Sequence, residues 1–168
     1  MVGAAWSGVV LVTAVSLVPA ALVVVALAWW RRGSAHRWRY SFAEVGMVVG
    51  TAPWVWMILT PRGSGRSVEA VPLAGLLSFG SASTAIEQIG GNLLVFAAFG
   101  FCAPLRWRVS VAQVAALACA GSVVVELLQY ALAIGRVTSV DDVLLNTTGA
   151  AIAALVSQRS RVVDEVLV

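Results

Sequence analysis

Residues 6–30 read WSGVVLVTAVSLVPAALVVVALAWW, an unbroken stretch without one ionisable side chain. As a helix it covers about 36 Å, more than the roughly 30 Å hydrocarbon core of a bilayer. Trp6 at one end and Trp29 and Trp30 at the other suit the two membrane–water interfaces. No positive charge precedes the run and no small-residue cleavage site follows it, so a retained span is expected and not a cleaved signal. Pro19 predicts at most a kink, which membrane helices tolerate when neighbours satisfy the freed carbonyl.

The rest of the chain keeps this character. Of 168 residues, 60% are hydrophobic and 11% charged, against roughly a quarter charged in a soluble domain. The mean hydropathy is +0.92. The apolar residues come in long blocks, so the expected unit is a single membrane domain over residues 1–168. All 11 basic residues are arginines, dispersed in short clusters at the ends of apolar runs. Membrane topology puts them there, and the net charge of +3 is no nucleic-acid footprint. Cys102 and Cys119 lie inside apolar runs without metal spacing and read as buried, inert thiols. His36 is the lone histidine. No histidine ligand set, nucleophilic triad or glycine-rich phosphate loop is present.

Further spans follow at about 41–60, 85–105, 109–134 and 141–156, giving an all-α polytopic transmembrane bundle of about five spans. Glu44 enters the second span beside an arginine cluster, which predicts a snorkelling carboxylate paired with Arg37 or Arg39. Residues 61–84 form a Gly, Ser and Pro-rich loop, in which VPLAGLLSF (71–79) is too short to span and lies at the interface or re-enters. A sixth span results only if it crosses. Alternate gaps between spans, with the carboxyl-terminal tail, carry eight arginines, while Arg62, Arg66 and Arg136 fall on the other side. The positive-inside rule then predicts an outside amino terminus and an inside carboxyl terminus.

That threading gathers scattered polar residues. Asn92 falls in the outer part of the third span, preceded by Glu87 and Gln88. Glu126 and Gln129, three residues apart, share a face in the outer third of the fourth. Arg136, Asp141 and Asp142 occupy the outer loop and its junction with the fifth span, and Asn146 follows one turn later. Ser139, three residues before Asp142, suits a helix cap, and the helix dipole favours carboxylates at that end. Gly149 and Ala153 form a small-xxx-small pair for close helix packing. The same set supports three readings. It is a structural clamp with Glu126 paired to Arg136, a phosphate grip completed by a divalent cation on hard oxygen ligands, or a carboxylate acid–base site.

At these residues the chain resembles the VanZ-like family. The matching pieces are NLLVFAAFGF (92–101), VVELLQYAL (124–132) and GRVTSVDDVLLNTTGAAIAAL (135–155), within a resemblance covering about residues 85–156 and, more weakly, the first two spans. The chain departs from the family's F-x-P-x-G pattern at Ala98, where proline is usual. The resemblance implies a multi-pass plasma-membrane protein of the cell envelope, associated with resistance to the glycopeptide teicoplanin. It selects Asn92, Glu126, Gln129, Arg136, Asp141, Asp142 and Asn146, which the reading of the residues takes as ligand-binding, with Glu126, Asp141 and Asp142 as its catalytic candidates. The resemblance carries a phenotype and no reaction. The expected function is binding of an anionic lipid or lipid-linked envelope precursor in an outer-leaflet pocket. The alternatives are a metal- or carboxylate-dependent enzyme acting on such a lipid, and a structural accessory to envelope enzymes.

Overall fold

A computed structural model describes residues 2–72 and 82–166. Its elements run α1 (Val2–Trp30), α2 (Arg37–Leu59), β1 (Gly65–Glu69), α3 (Ala82–Val95), α4 (Ala97–Arg106), α5 (Val111–Leu132), β2 (Ile134–Ser139) and α6 (Val140–Val166). Among the described residues, five helical segments are long and apolar enough to cross a membrane: Ser7–Trp30, Arg37–Leu59, Thr84–Arg106, Val111–Leu132 and Val140–Ser160. The five-span expectation therefore holds. Residues 73–79 of the VPLAGLLSF segment lie outside the described residues.

α6 is the centre of the bundle, packing against α3, α4 and α5, while α2 packs against α1 and α4. Glycines set how closely these axes approach. A methyl group at Gly149 would overlap the Leu93 carbonyl, and one at Gly100 would overlap the Ala150 carbonyl. The small-xxx-small pair read from the sequence thus works through Gly149, and α4 answers with Gly100. Away from these contacts the spans turn apolar side chains outward. Leu11, Val15, Leu22, Leu117 and Leu127 are each more than half exposed, as hydrocarbon-facing residues of a membrane bundle must be.

Three boundaries differ from the sequence reading. The third span is interrupted at Phe96, with φ −110° and ψ 10°, although Ala98 stands where proline is usual. A missing proline has not restored a continuous helix. α5 stops at Leu132, earlier than expected, because Ala133 turns left-handed (φ 50°) and leads directly into β2. α6 continues past the expected Val156, since neither glycine nor proline occurs after Gly149 to stop it.

The stretch read as irregular loop contains a strand. β1 pairs parallel with β2, Ser67 opposite Val137 and Glu69 opposite Ser139, with an irregularity after Gly65. Gly135, at φ 68°, makes this possible, because a Cβ there would run into the Gly63 backbone. The ladder ties the connection after α2 to the connection before α6.

Glu44 is paired, but not with the expected arginines. Its Oε2 accepts from Arg31 Nη2 at 2.8 Å and its Oε1 from Arg106 Nε, while Arg39 donates to the Leu105 carbonyl at 3.1 Å. Helix geometry explains the difference. Arg39 lies about 140° around the helix from Glu44, and Arg37 about 10 Å along it. Arg31 and Arg106 approach from the ends of α1 and α4 instead.

Ser110 caps α5 in a reciprocal box with Gln113: Ser110 Oγ accepts the Gln113 N–H at 3.2 Å and Gln113 Oε1 the Ser110 N–H at 2.8 Å. Ser110→Ala is expected to lower stability by about 1 kcal/mol, read as a reduced midpoint in a denaturant titration in mixed micelles.

Candidate functional site: a polar cavity at the end of α2

Where α2 ends, α3 begins and α5 gives way to β2, a cavity of about 310 Å³ opens. Asn92, Glu126, Gln129, Arg136, Asp142 and Asn146 all line it, six of the seven residues selected from sequence. Asn92 Nδ2 donates to Asp142 Oδ1 at 2.6 Å, joining the third span to the fifth. Asp141 is the exception. It is only 4% exposed and absent from the lining, since adjacent residues of a helix point about 100° apart. Its N–H donates to Ser139 Oγ at 3.1 Å, so Ser139 caps α6 through Asp141.

Two of the six spend their donors on the end of α2. The last carbonyls of a helix have no partner within it, and at a membrane-embedded end water is scarce. Here the Ile58 carbonyl accepts Gln129 Nε2 at 2.9 Å. The Met57 carbonyl accepts Arg136 Nη2 at 2.7 Å, and the Thr60 carbonyl accepts Arg136 Nε at 3.2 Å. The Trp56 carbonyl accepts the Thr60 hydroxyl at 2.8 Å. Arg136 also brings its charge to the negative end of the α2 dipole. Burial, with the nearby Arg62 charge adding to it, pulls the Arg136 guanidinium down to about 10, against the opposing fields of Asp142 and Glu126. It stays cationic at neutral pH.

Glu126 and Arg136 are not ion-paired, contrary to the clamp reading. Glu126 is 5% exposed and accepts the Ser139 N–H at 3.0 Å through Oε2. Its Oε1, like Asp142 Oδ2, makes no hydrogen bond among the described residues. Deepest in the site, Asn146 donates through Nδ2 to Ser122 Oγ at 2.7 Å. Asn146 is 1% exposed, and its Oδ1 finds no partner among the described residues. The cavity thus presents unused acceptors on its inner side.

At the mouth stands Arg62, exposed and lining the cavity, its side chain making no hydrogen bond or ion pair among the described residues. Sequence reading counted Arg62 only as an outer-side charge. It reaches the site because its backbone N–H donates to the Ile134 carbonyl at 3.0 Å, beside the strand ladder. Thr84, Glu87 and Gln88 of α3 complete that side. The acids do not assemble as a metal centre. Among the described residues no three His, Cys, Asp or Glu side chains group so as to hold a metal ion.

Comparison with curated proteins and with solved structures finds no match to either. The VanZ/LLP1 family profile matches residues 22–161, a longer stretch than the motifs alone suggested, with α2 and the polar cavity entirely inside it. On that match, and on five membrane-spanning helices, the chain belongs to the VanZ/LLP1 family.

Proposed function

We propose that this protein binds an anionic lipid or lipid-linked envelope precursor, with the headgroup in the cavity at the end of α2. The observation that carries the proposal is Arg62, a guanidinium without a partner among the described residues, beside Arg136 at the mouth of a cavity whose inner wall offers acceptors unsatisfied among those residues. Guanidinium groups grip phosphate or carboxylate in two-pronged hydrogen bonds. Three acids, Glu87, Glu126 and Asp142, share the lining with the two arginines. A bare anion would be repelled by them. The suitable headgroup therefore carries donors, such as sugar hydroxyls or an ammonium, directed at Glu126, Asp142 and Asn146, and an anion directed at Arg62 and Arg136.

In the proposed setting the protein lies in the plasma membrane, its amino terminus outside and carboxyl terminus inside, and the cavity faces the outer leaflet. Binding a surface precursor there would change what a glycopeptide such as teicoplanin meets, which links the cavity to the resistance associated with the family. Single cysteines test the threading, introduced at Ser34 and Ser67 in a chain with Cys102 and Cys119 replaced by alanine. Ser67 is the better outer probe because Ser139 is only 7% exposed. A membrane-impermeant maleimide added to intact cells is expected to label position 67 and spare position 34. The reverse pattern refutes the orientation.

Arg62→Ala tests the binding. Loss of one charge-assisted contact of about 1.4 kcal/mol weakens affinity about tenfold, measured as retention of phosphatidylglycerol by purified protein. The fold is expected to stay intact, because the Arg62 side chain has no hydrogen-bond or ion-pair partner among the described residues. Unchanged retention counts against the headgroup site.

A second reading is supported by Glu126 and Asp142, each of which keeps one carboxylate oxygen without a hydrogen bond among the described residues, beside the same cavity. A headgroup hydroxyl held there meets two potential bases, so the alternative is a carboxylate-dependent enzyme acting on such a lipid. Turnover that vanishes in Asp142→Asn while binding persists would select it.

A further inference from the structure

A second recess, of 580 Å³, opens on the hydrocarbon-facing side of the helices, with Val48 and Leu117 exposed along it, and among the described residues no charged side chain lines it. Its walls include Met47, Thr51 and Val55 of α2, Phe96 and Phe99 around the break in the third span, and Leu117 of α5. Met47 to Val55 span about 12 Å along the helix axis. The spacing of the walls is fixed by close packing of α2 on α4. A Cβ at Gly50 would overlap the Ala98 side chain, and one at Gly46 would sit 3.1 Å from Cys102 Sγ.

The recess and the polar cavity share their walls in register. On α2, Met47, Thr51, Val55 and Ile58 follow one another on one face; the first three line the recess and the fourth lines the cavity. Across the third span Asn92, Phe96 and Phe99 keep the same kind of spacing, Asn92 in the cavity and the two rings in the recess. α2 ends at the cavity and α3 starts there, so both stripes pass from apolar to polar toward the same end. At the junction Val55 and Phe96 pack against the apolar cluster that contains Met57 and Ile58 of the cavity wall. The interruption at Phe96 falls at this transition.

We propose that the recess holds one hydrocarbon chain, acyl or prenyl, of the amphiphile whose headgroup enters the cavity. This rests on the lipid-binding reading above and extends it from a surface headgroup contact to a ligand gripped at both ends. An apolar recess in the hydrocarbon region gains nothing from excluding water, so what selects its occupant is packing and the tether to the polar site. Phosphatidylcholine presents a phosphate to Arg62 and Arg136 but no hydrogen-bond donor to Glu126, Asp142 and Asn146, so it gains no comparable preference for the recess.

The test uses the full chain in phosphatidylcholine nanodiscs with a trace of phosphatidylglycerol carrying a diazirine in one acyl chain. Photolabel is expected to concentrate on residues 47–55 and 96–99, at least fivefold above the exposed face of α1. Arg62→Ala should remove that excess. The same diazirine on phosphatidylcholine should label both regions evenly. Ala52→Phe, which fills the recess, should lower phosphatidylglycerol retention at least fivefold. Equal labelling of the recess by both lipids overturns the proposal, as does cross-linking of two copies through Leu117 in place of lipid labelling. If Ala52→Phe leaves retention unchanged while Arg62→Ala weakens it, the chain lies elsewhere and the headgroup site stands. If neither variant changes retention, the headgroup reading fails as well. The wild-type labelling pattern decides the matter even if Ala52→Phe does not fold.

Discussion

Gly149→Ala is expected to destabilise the bundle by about 3 kcal/mol, and Gly149→Leu to prevent its assembly. Alanine is the better helix former by up to about 1 kcal/mol, so on propensity alone the substitution should help. Packing reverses the sign. The atom added at position 149 falls on the carbonyl of Leu93, a backbone atom that no rotamer change can move. Relief requires α3 to move away from α6, and overpacking of this kind costs about 1–3 kcal/mol or more. The site would share the damage. Leu93 is next to Asn92 and Gly149 lies one turn beyond Asn146, so separating the helices stretches the 2.6 Å bond from Asn92 to Asp142. Gly90→Ala is the matched control, because nothing lies within 4 Å of a methyl group there. It should be neutral or slightly stabilising. Thermal unfolding in detergent, followed by size-exclusion chromatography, separates the two. A Gly149→Ala melting temperature equal to wild type would show that α3 and α6 do not pack as described.

This contrast also shows what the sequence could and could not disclose. Long apolar runs declare membrane spans without ambiguity, because a bilayer leaves little choice other than a helix of sufficient length. The polar constellation was legible for the same reason. Once the spans are threaded, Asn92, Glu126 and Asn146 are forced to similar depth, and a cavity lined by all three follows. Azimuth was less visible than depth. Asp141 and Asp142 are equivalent in a threading diagram, yet only Asp142 faces the cavity. The partners of Glu44 eluded a local reading because they come from two other helices, at Arg31 and Arg106. The strands were hidden for another reason. GRSVE and IGRVTS lack the alternating apolar pattern of a half-buried strand, and their pairing depends on Gly135 admitting the Gly63 backbone. Arg62 became a site residue only through that pairing.

Arg136→Ala is expected to cost about 3–5 kcal/mol, the other large effect, and to weaken lipid retention at the same time. Two charge-assisted hydrogen bonds, to the Met57 and Thr60 carbonyls, contribute about 1.5–3 kcal/mol each. Removing them leaves the Met57 carbonyl with only the Thr60 N–H at 3.3 Å and takes the compensating charge from the end of α2. The neighbouring Ile58 carbonyl depends on Gln129 in the same way. Gln129→Leu should therefore cost about 1–3 kcal/mol alone. Combined with Arg136→Ala it should deviate from additivity by about 0.5 kcal/mol or more, because both side chains cap one helix end. Arg136→Lys discriminates charge from geometry. An ammonium keeps the favourable interaction with the helix dipole, but it cannot reproduce the planar fork that reaches two carbonyls a turn apart. It should recover about half of the lost stability. Unfolding titrations in mixed micelles read all four proteins on one scale. Full rescue by lysine would reduce Arg136 to a point charge, and wild-type stability in Arg136→Ala would remove it from the capping of α2. Lipid retention, measured only on variants that remain folded, then separates the two duties. If Arg136 acts solely as a cap, Arg136→Lys binds phosphatidylglycerol like wild type. A shared grip with Arg62 instead predicts that Arg136→Lys and Arg62→Ala each weaken retention, and that the double substitution does little more than the stronger single one.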